Sequence, residues 1–289
     1  MSALPIIALE EGHFAAEGLE MRVREYASGE FAMSAMLGEK EDVITCSEVP
    51  VVAAGFRSSD FAVIATVAAS KRGHVLVARK SAGISSLADL RGKRVATLQN
   101  TAMHFLLHLM LLQQQMSEQD VVLSFLNSDD VVGPLRRGEV DALCIREPYT
   151  SQALEQVGDD VVVLEQTDIY TRTQHLVARK AFLRSRPEAA RRLIRGLLRA
   201  ERFALERPAK AQARVARRLN VEPSRLARDW AHLRLKVSLD QALLSQLEDE
   251  ARWMLGAGLV RASAVPNYLE LLDLQPLKAV QPEAITVIH

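Results

Sequence analysis

Two hydrophobic periods divide this chain. Over the first two-thirds, short apolar runs of strand character are separated by runs with helical spacing. Residues 19–26 alternate apolar and charged side chains and predict a strand. Residues 32–37 predict a short helix closed by Gly38, and residues 42–45 predict a strand that leads into a helix over 48–56. Further strands are expected at 62–68, 94–98, 121–126, 142–145 and 161–164. A helix is expected from Asn100 or Thr101 to about Gln115. From 186 to 259 the period becomes helical almost throughout. Ala190, Leu193, Ile194, Leu197, Ala200 and Ala204 fall on one face, as do Leu239, Leu243, Leu247 and Ala251, and Gly256 and Gly258 mark a stop. Alternating strands and helices predict an α/β fold of βαβ units with mostly parallel sheets and a helical C-terminal segment. In such sheets, ligands bind where strands end and helices begin.

Composition narrows the class. Hydrophobic residues make up 48% and charged residues 25% of 289 residues, which fits a globular chain with room for two domains. Lys+Arg and Asp+Glu are both 36, so no net field draws the chain to nucleic acid or to an anionic membrane. The arginines between Arg184 and Arg228 are interleaved with Glu188, Glu201, Glu206, Glu222 and Asp229, the pattern of a solvated helix face. Cys46 and Cys144 are too few and too far apart for a disulfide framework or a metal cluster. The most apolar run, 103–112, is too short to span a bilayer and holds His104 and His108, so it predicts a buried helix. No export signal is read in residues 1–5.

One segment has an echo. His74-Val75-Leu76-Val77-Ala78-Arg79-Lys80 is nearly repeated at His175-Leu176-Val177-Ala178-Arg179-Lys180. A chain that leaves one domain and later returns crosses twice, in similar surroundings. The echo therefore predicts paired hinge strands, with residues 1–75 plus 176–289 as one lobe and 76–175 as the other. Chance in a composition rich in Ala, Val, Leu and Arg is the alternative.

Several segments resemble the periplasmic solute-binding proteins of the nitrate/sulfonate/taurine/thiamine-precursor type. They are Glu11-Gly12-His13-Phe14 through Glu17-Gly18-Leu19, Leu37-Gly38-Glu39 through Asp42-Val43, Asp89-Leu90-Arg91-Gly92-Lys93-Arg94, and Leu135-Arg136-Arg137-Gly138-Glu139-Val140-Asp141-Ala142 followed by Glu147-Pro148-Tyr149. Their order and spacing run from about residue 5 to residue 275. These residues are scaffold: Gly18 and Gly38 can end helices in the left-handed conformation, and Asp89 to Gly92 form a helical turn before a buried strand. The resemblance implies a type II periplasmic-binding-protein-like fold with two βα lobes around a cleft. Relatives normally place a strand and a loop before the first helix, whereas residues 1–5 already lie near that helix. Absence of that strand would leave backbone groups unpaired and apolar surface exposed, so either the start is truncated or misassigned, or another segment fills the gap.

Candidate contacts sit at strand-to-helix junctions. Cys46, Ser47 and Glu48 follow the first such strand, and Ser47 either caps the helix or offers its hydroxyl to a ligand. Gln99, Asn100, Thr101 and Ala102 begin a helix whose open N–H groups suit an anion or a carbonyl-rich ligand. At Arg146-Glu147-Pro148-Tyr149, proline fits the first helical position with Glu147 as N-cap, and Tyr149 either stacks on a ligand or packs. Asn127, with Ser128 and Asp129, is a weaker candidate. Glu48 and Glu147 oppose a bare anion, which tilts the ligand toward a neutral or amine-bearing heterocycle such as a thiamine or flavin precursor. A sulfonate, nitrate-like or other organic anion stays open.

The resemblance implies a receptor without chemistry, cofactor or metal. Its partners would be a small-molecule ligand and an ABC permease, with no nucleic acid and no membrane insertion. Hinge closure of a monomer and a periplasmic location are expected. The enzyme alternative is desulfinase-like: Cys46 as nucleophile with His74, His104 or His175 as base. A cytoplasmic ligand-sensing domain is the third class.

Overall fold

The computed structural model describes residues 1–126, 130–165 and 169–288. The chain forms two compact units, Met1–Ser70 with Arg172–His289, and Lys71–Thr171.

In the first unit the chain forms α1 (Ala3–Glu10), α2 (His13–Ala16), α3 (Gly29–Leu37), β1 (Val43–Ser47), α4 (Glu48–Gly55) and β2 (Phe61–Ser70). The second unit holds β3 (His74–Arg79), β4 (Arg94–Thr97), α5 (Ala102–Gln113), β5 (Val122–Phe125), α6 (Gly133–Arg136), β6 (Ala142–Arg146), α7 (Tyr149–Val157) and β7 (Val161–Leu164). The chain then returns to the first unit as β8 (Arg172–Arg179), α8 (Lys180–Ser185), α9 (Pro187–Glu206), α10 (Pro208–Leu219), α11 (Pro223–Trp230), α12 (Gln241–Gly256) and α13 (Gln275–Lys278).

The sheet of the first unit has the order β1-β8-β2, with β8 antiparallel to both neighbours. Ile44 faces Val177 and Cys46 faces His175 across β1–β8. The run Phe61–Ser70 is apolar on both faces because α1 and α13 pack on it, and it is buried almost throughout. Both edges of β8 are paired, so it occupies the sheet's centre. The outer edge of β2 bonds to later loops: Thr66 and Ser238 exchange N–H···O bonds of 2.7 and 3.1 Å, Ala69 and Arg234 exchange bonds of 2.9 and 2.8 Å, and Asp273 donates to Val63 at 3.0 Å. Later segments thus bond the backbone of Val63, Thr66 and Ala69 along this edge. The Ala190–Ala204 stripe of α9 is buried as its spacing predicts, against α1, α2, α10 and α13.

The sheet of the second unit has the order β5-β4-β6-β3-β7. β4 is parallel to β5 and β6, whereas β3 is antiparallel to β6 and β7. Val75, Val77, Leu143 and Ile145 pack with Leu135, Ala153 and Val161 in one core. The apolar run expected at 103–112 is α5, with Met103, Leu106, Leu107, Met110 and Leu111 buried.

Four expectations need correction. Residues 19–26 form no strand: Met21 and Val23 stay 39% and 48% exposed, with no strand beside them to bond. Gly18 is left-handed at φ 73°, but Gly38 is not, and the positive φ of 60° falls on Glu39. The sheets are not mostly parallel: both pairings of the first are antiparallel, and the second is mixed because β3 lies antiparallel between β6 and β7. The two echo segments are not connectors. Each lies inside its own sheet, as β3 and as the end of β8, and the unit boundaries fall before them, at 70/71 and 171/172. Their shared ending has a local cause. Arg79 Nε pairs with Asp160 at 2.8 Å and Arg179 Nη2 with Asp42 at 2.7 Å, while Lys80 and Lys180 each donate to a backbone carbonyl, of Asp159 and Glu270.

Candidate functional site

The second unit brings several candidates to one edge. β4, β5 and β6 run in one direction, and β7 shares it because β6 and β7 both oppose β3. Their carboxyl ends therefore open on the same side of the sheet. Thr97 Oγ1 donates to the Cys144 carbonyl at 3.0 Å and ties β4 to β6 at that end. Gln99 and Asn100 follow β4 and are exposed. Asn100 has φ 57°, a left-handed turn that Asn tolerates better than most residues.

Thr101 is the N-cap of α5 in extended conformation, yet its hydroxyl donates to Leu98 O at 2.6 Å instead of accepting from the helix. The Thr101 side chain therefore does not cap α5. The first turn, from Ala102, thus brings the positive end of the helix dipole to the strand edge.

Arg146, Glu147 and Tyr149 lie at the end of β6, beside this turn. Here the expectation is corrected. Pro148 itself is the N-cap of α7, after a cis Glu147–Pro148 peptide. Glu147 caps from one residue further back: its carboxylate accepts from Ser151 Oγ at 2.8 and 3.0 Å and from Ser151 N at 3.4 Å. Arg146 Nη1 donates to the Glu147 carbonyl at 3.0 Å, not to its carboxylate. The half-buried Tyr149 packs against the unit's core. Asn127, with Ser128 and Asp129, lies outside the described residues.

The first unit gathers Cys46, Ser47 and Glu48 where β1 turns into α4. Ser47 is the N-cap but makes no side-chain capping bond, so its half-buried hydroxyl is not committed to the helix. Glu48 is fully buried. Its Oε2 accepts from Thr173 N at 3.0 Å and from Thr173 Oγ1 at 3.2 Å. Thr173 Oγ1 lies 2.9 Å from His175 Nε2, and His175 Nδ1 lies 3.1 Å from Thr66 Oγ1. The Thr173 hydroxyl has one proton and gives it to Glu48, so it accepts from Nε2–H, and Nδ1 accepts from the Thr66 hydroxyl. A buried polar chain thus joins α4, β8 and β2.

Burial pushes the His175 pKa down to about 3. The imidazole is neutral, bonded at both nitrogens and a poor base. Burial, and then the charge of Glu48, push the Cys46 thiol far above its ordinary range, so a thiolate is disfavoured twice over. Cys144 is buried and raised in the same way, mainly by desolvation. Of the other base candidates, His74 stacks on Tyr170 with ring centroids 6.3 Å apart, and His104 Nε2 lies 3.3 Å from Glu118 Oε1. Among the described residues no group of three or more His, Cys, Asp or Glu could hold a metal ion. Thr66 and Thr173 escaped the sequence reading. Neither adjoins a motif, and only the β2–β8–β1 pairing brings them to Glu48.

The model of the family described as NMT1/THI5 like matches residues 2–211. The chain belongs to this family. Among curated proteins, this NMT1/THI5-like chain is similar to two named as aliphatic sulfonates-binding proteins. The one from Bacillus subtilis (strain 168) is 27% identical over 195 residues, 66% of this chain and 58% of the relative. The one from Escherichia coli (strain K12) is 26% identical over 134 residues, 46% of this chain and 42% of the relative. The matches therefore span about half the length of these relatives. Among solved structures, the periplasmic aliphatic sulphonate binding protein of Escherichia coli superposes with a TM-score of 0.79 at 19% identity, over 94% of both chains. The alkanesulfonate-binding protein of Xanthomonas axonopodis pv. citri, solved with MOPS, gives 0.72 at 17% identity, over 91% of this chain and 92% of that one. The desulfurization enzyme DSZB gives 0.65 at 17% identity, over 97% and 96%. These likenesses establish the periplasmic-binding-protein fold of this NMT1/THI5-like chain.

Proposed function

We propose that the chain is the solute-binding component of an ABC importer and takes a small organic anion of the aliphatic sulfonate kind. It acts as a monomer in the periplasm and delivers its ligand to a membrane permease. The observation that carries the reading is the start of α5, left uncapped by the Thr101 side chain, at the carboxyl edge of the second sheet, where Gln99 and Asn100 are exposed. Backbone N–H groups at a helix start suit a sulfonate's oxygens. The names of the two curated relatives support the same ligand class.

The tilt toward an amine-bearing heterocycle rested on Glu48 and Glu147 as negative contacts. Glu48 carries less of that weight, since its carboxylate is bonded to Thr173 inside the first unit, while Glu147 is engaged by Ser151 at α7 and keeps its charge. Ser47 and the N–H groups of α4 are the contacts proposed from the first unit, and hinge closure on the ligand is part of the proposal. The reading has no chemical step: the Cys46 thiol is buried beside the Glu48 carboxylate, and burial and that charge both push it away from the thiolate that a nucleophile needs.

A thermal-shift panel tests it. A ligand at about 100 times its Kd stabilises the fold by about 2.7 kcal/mol. For a chain of this size that is a rise of several degrees in Tm. Ethanesulfonate and taurine should raise Tm, while thiamine precursors and riboflavin should not. No response to any sulfonate on folded protein rejects the proposal.

A further inference from the structure

The first unit holds a second buried carboxyl that the binding reading leaves without a role. Glu250, on α12, is fully buried. α12 packs on α4, whose first residue is Glu48. Gln246 Nε2 donates to Glu250 Oε1 at 3.1 Å, while Oε2 is buried without a hydrogen-bond partner. The titratable groups that bear on it are Glu48 from α4, Asp249 on its own helix and the Tyr268 phenol from the 3-10 turn Tyr268–Leu271, and none supplies positive charge. Two carboxylates placed together away from water cannot both ionise cheaply. Glu48 already accepts two bonds from Thr173, which favours its charged form. Glu250 has one amide donor and one bare oxygen, which favours the acid. Desolvation first, and the charge of Glu48 second, raise its pKa well above the ordinary carboxylate range.

We propose that Glu250 is a positioning residue: it stays a neutral carboxylic acid at physiological pH and so holds the Cys46–Ser47–Glu48 corner in its binding geometry. The proton sits on the otherwise unpartnered Oε2. Loss of that proton sets two buried charges against each other across α4–α12 and displaces the start of α4 from the bond of Glu48 to Thr173. The positioning role rests on the sulfonate-binding reading, whereas the protonation does not.

The test is Glu250→Gln, which keeps the shape and cannot ionise. In the unfolded chain Glu250 titrates as an ordinary glutamate, whereas in the native chain it keeps its proton. Wild-type stability therefore falls relative to Glu250→Gln as pH rises above the ordinary glutamate range, and levels only above the native pKa. Urea midpoints from pH 5 to 9 should diverge in that sense, and parallel profiles overturn the proposal. Infrared difference spectra at pH 7 should show a protonated-carboxyl band in wild type that is missing in Glu250→Gln; an identical spectrum also overturns it. Calorimetry with ethanesulfonate should show wild-type affinity weakening at least threefold between pH 7 and 9 and that of Glu250→Gln staying level. Equal pH responses reject the positioning role even where the acid is protonated. Absence of sulfonate binding in both proteins rejects the ligand reading and the positioning role with it, while the urea and infrared results still decide the protonation.

Discussion

Cys46 shows how a residue's position and its chemistry can part company. It sits at a strand end before a helix, where a nucleophile would be placed. Yet its side chain is buried and Gly29 closes over it: a Cβ on Gly29 would lie 2.9 Å from the Cys46 Cβ. Neither Cys46 nor Cys144 should therefore react with iodoacetamide in the native protein over a time that labels an exposed thiol fully, and both should react once urea unfolds it. Peptide mass spectrometry checks this, and rapid labelling of Cys46 in the folded chain would restore the enzyme reading. Thr101, Asn100 and Ser47 were legible as junction residues from sequence. The partners of Glu48 were not, because Thr173 is far away in the chain and reaches it only through strand pairing.

At the scale of elements, the apolar pattern placed β2, β4, β6, β7, α5 and α9 well: β2 is an apolar run that is buried almost throughout, α5 buries most of its apolar run, and α9 buries the face that its period marks. It failed over 19–26, where alternation is present but no neighbouring strand takes the hydrogen bonds. Periodicity records which faces are apolar, not whether a partner exists to cover them. Helix contacts also depend on single small residues. Gly196 lies mid-helix in α9, and a Cβ there would come 2.5 and 2.9 Å from Cδ1 and Cε1 of Phe14 on α2. Gly196→Ala adds helix propensity worth about 1 kcal/mol but must push Phe14 off α9. The clash should dominate, with a net loss of about 1–3 kcal/mol in urea unfolding. A more stable variant would mean that the ring moves aside at no cost.

At the scale of the molecule, residues 71–171 form a unit whose ends meet through the stacked rings of His74 and Tyr170, and it has its own sheet and core. Expressed alone, it should fold and melt cooperatively by circular dichroism. The first unit needs both of its segments, because β8 from the second fills the sheet between β1 and β2 from the first. Residues 1–70 expressed alone should lack this sheet, and a cooperative melt from them would contradict the topology.

By itself the sequence determined the α/β class, most element positions, the family resemblance and the strand-to-helix junctions, since each is written in local periodicity, turn chemistry or ordered motifs. Only the tertiary structure decided the strand directions, the place of the two echo segments inside separate sheets, and the burial of Glu48 and Cys46. Those outcomes depend on which distant segments meet, and a carboxylate or a thiol takes its charge state from the neighbours and the water that folding leaves around it.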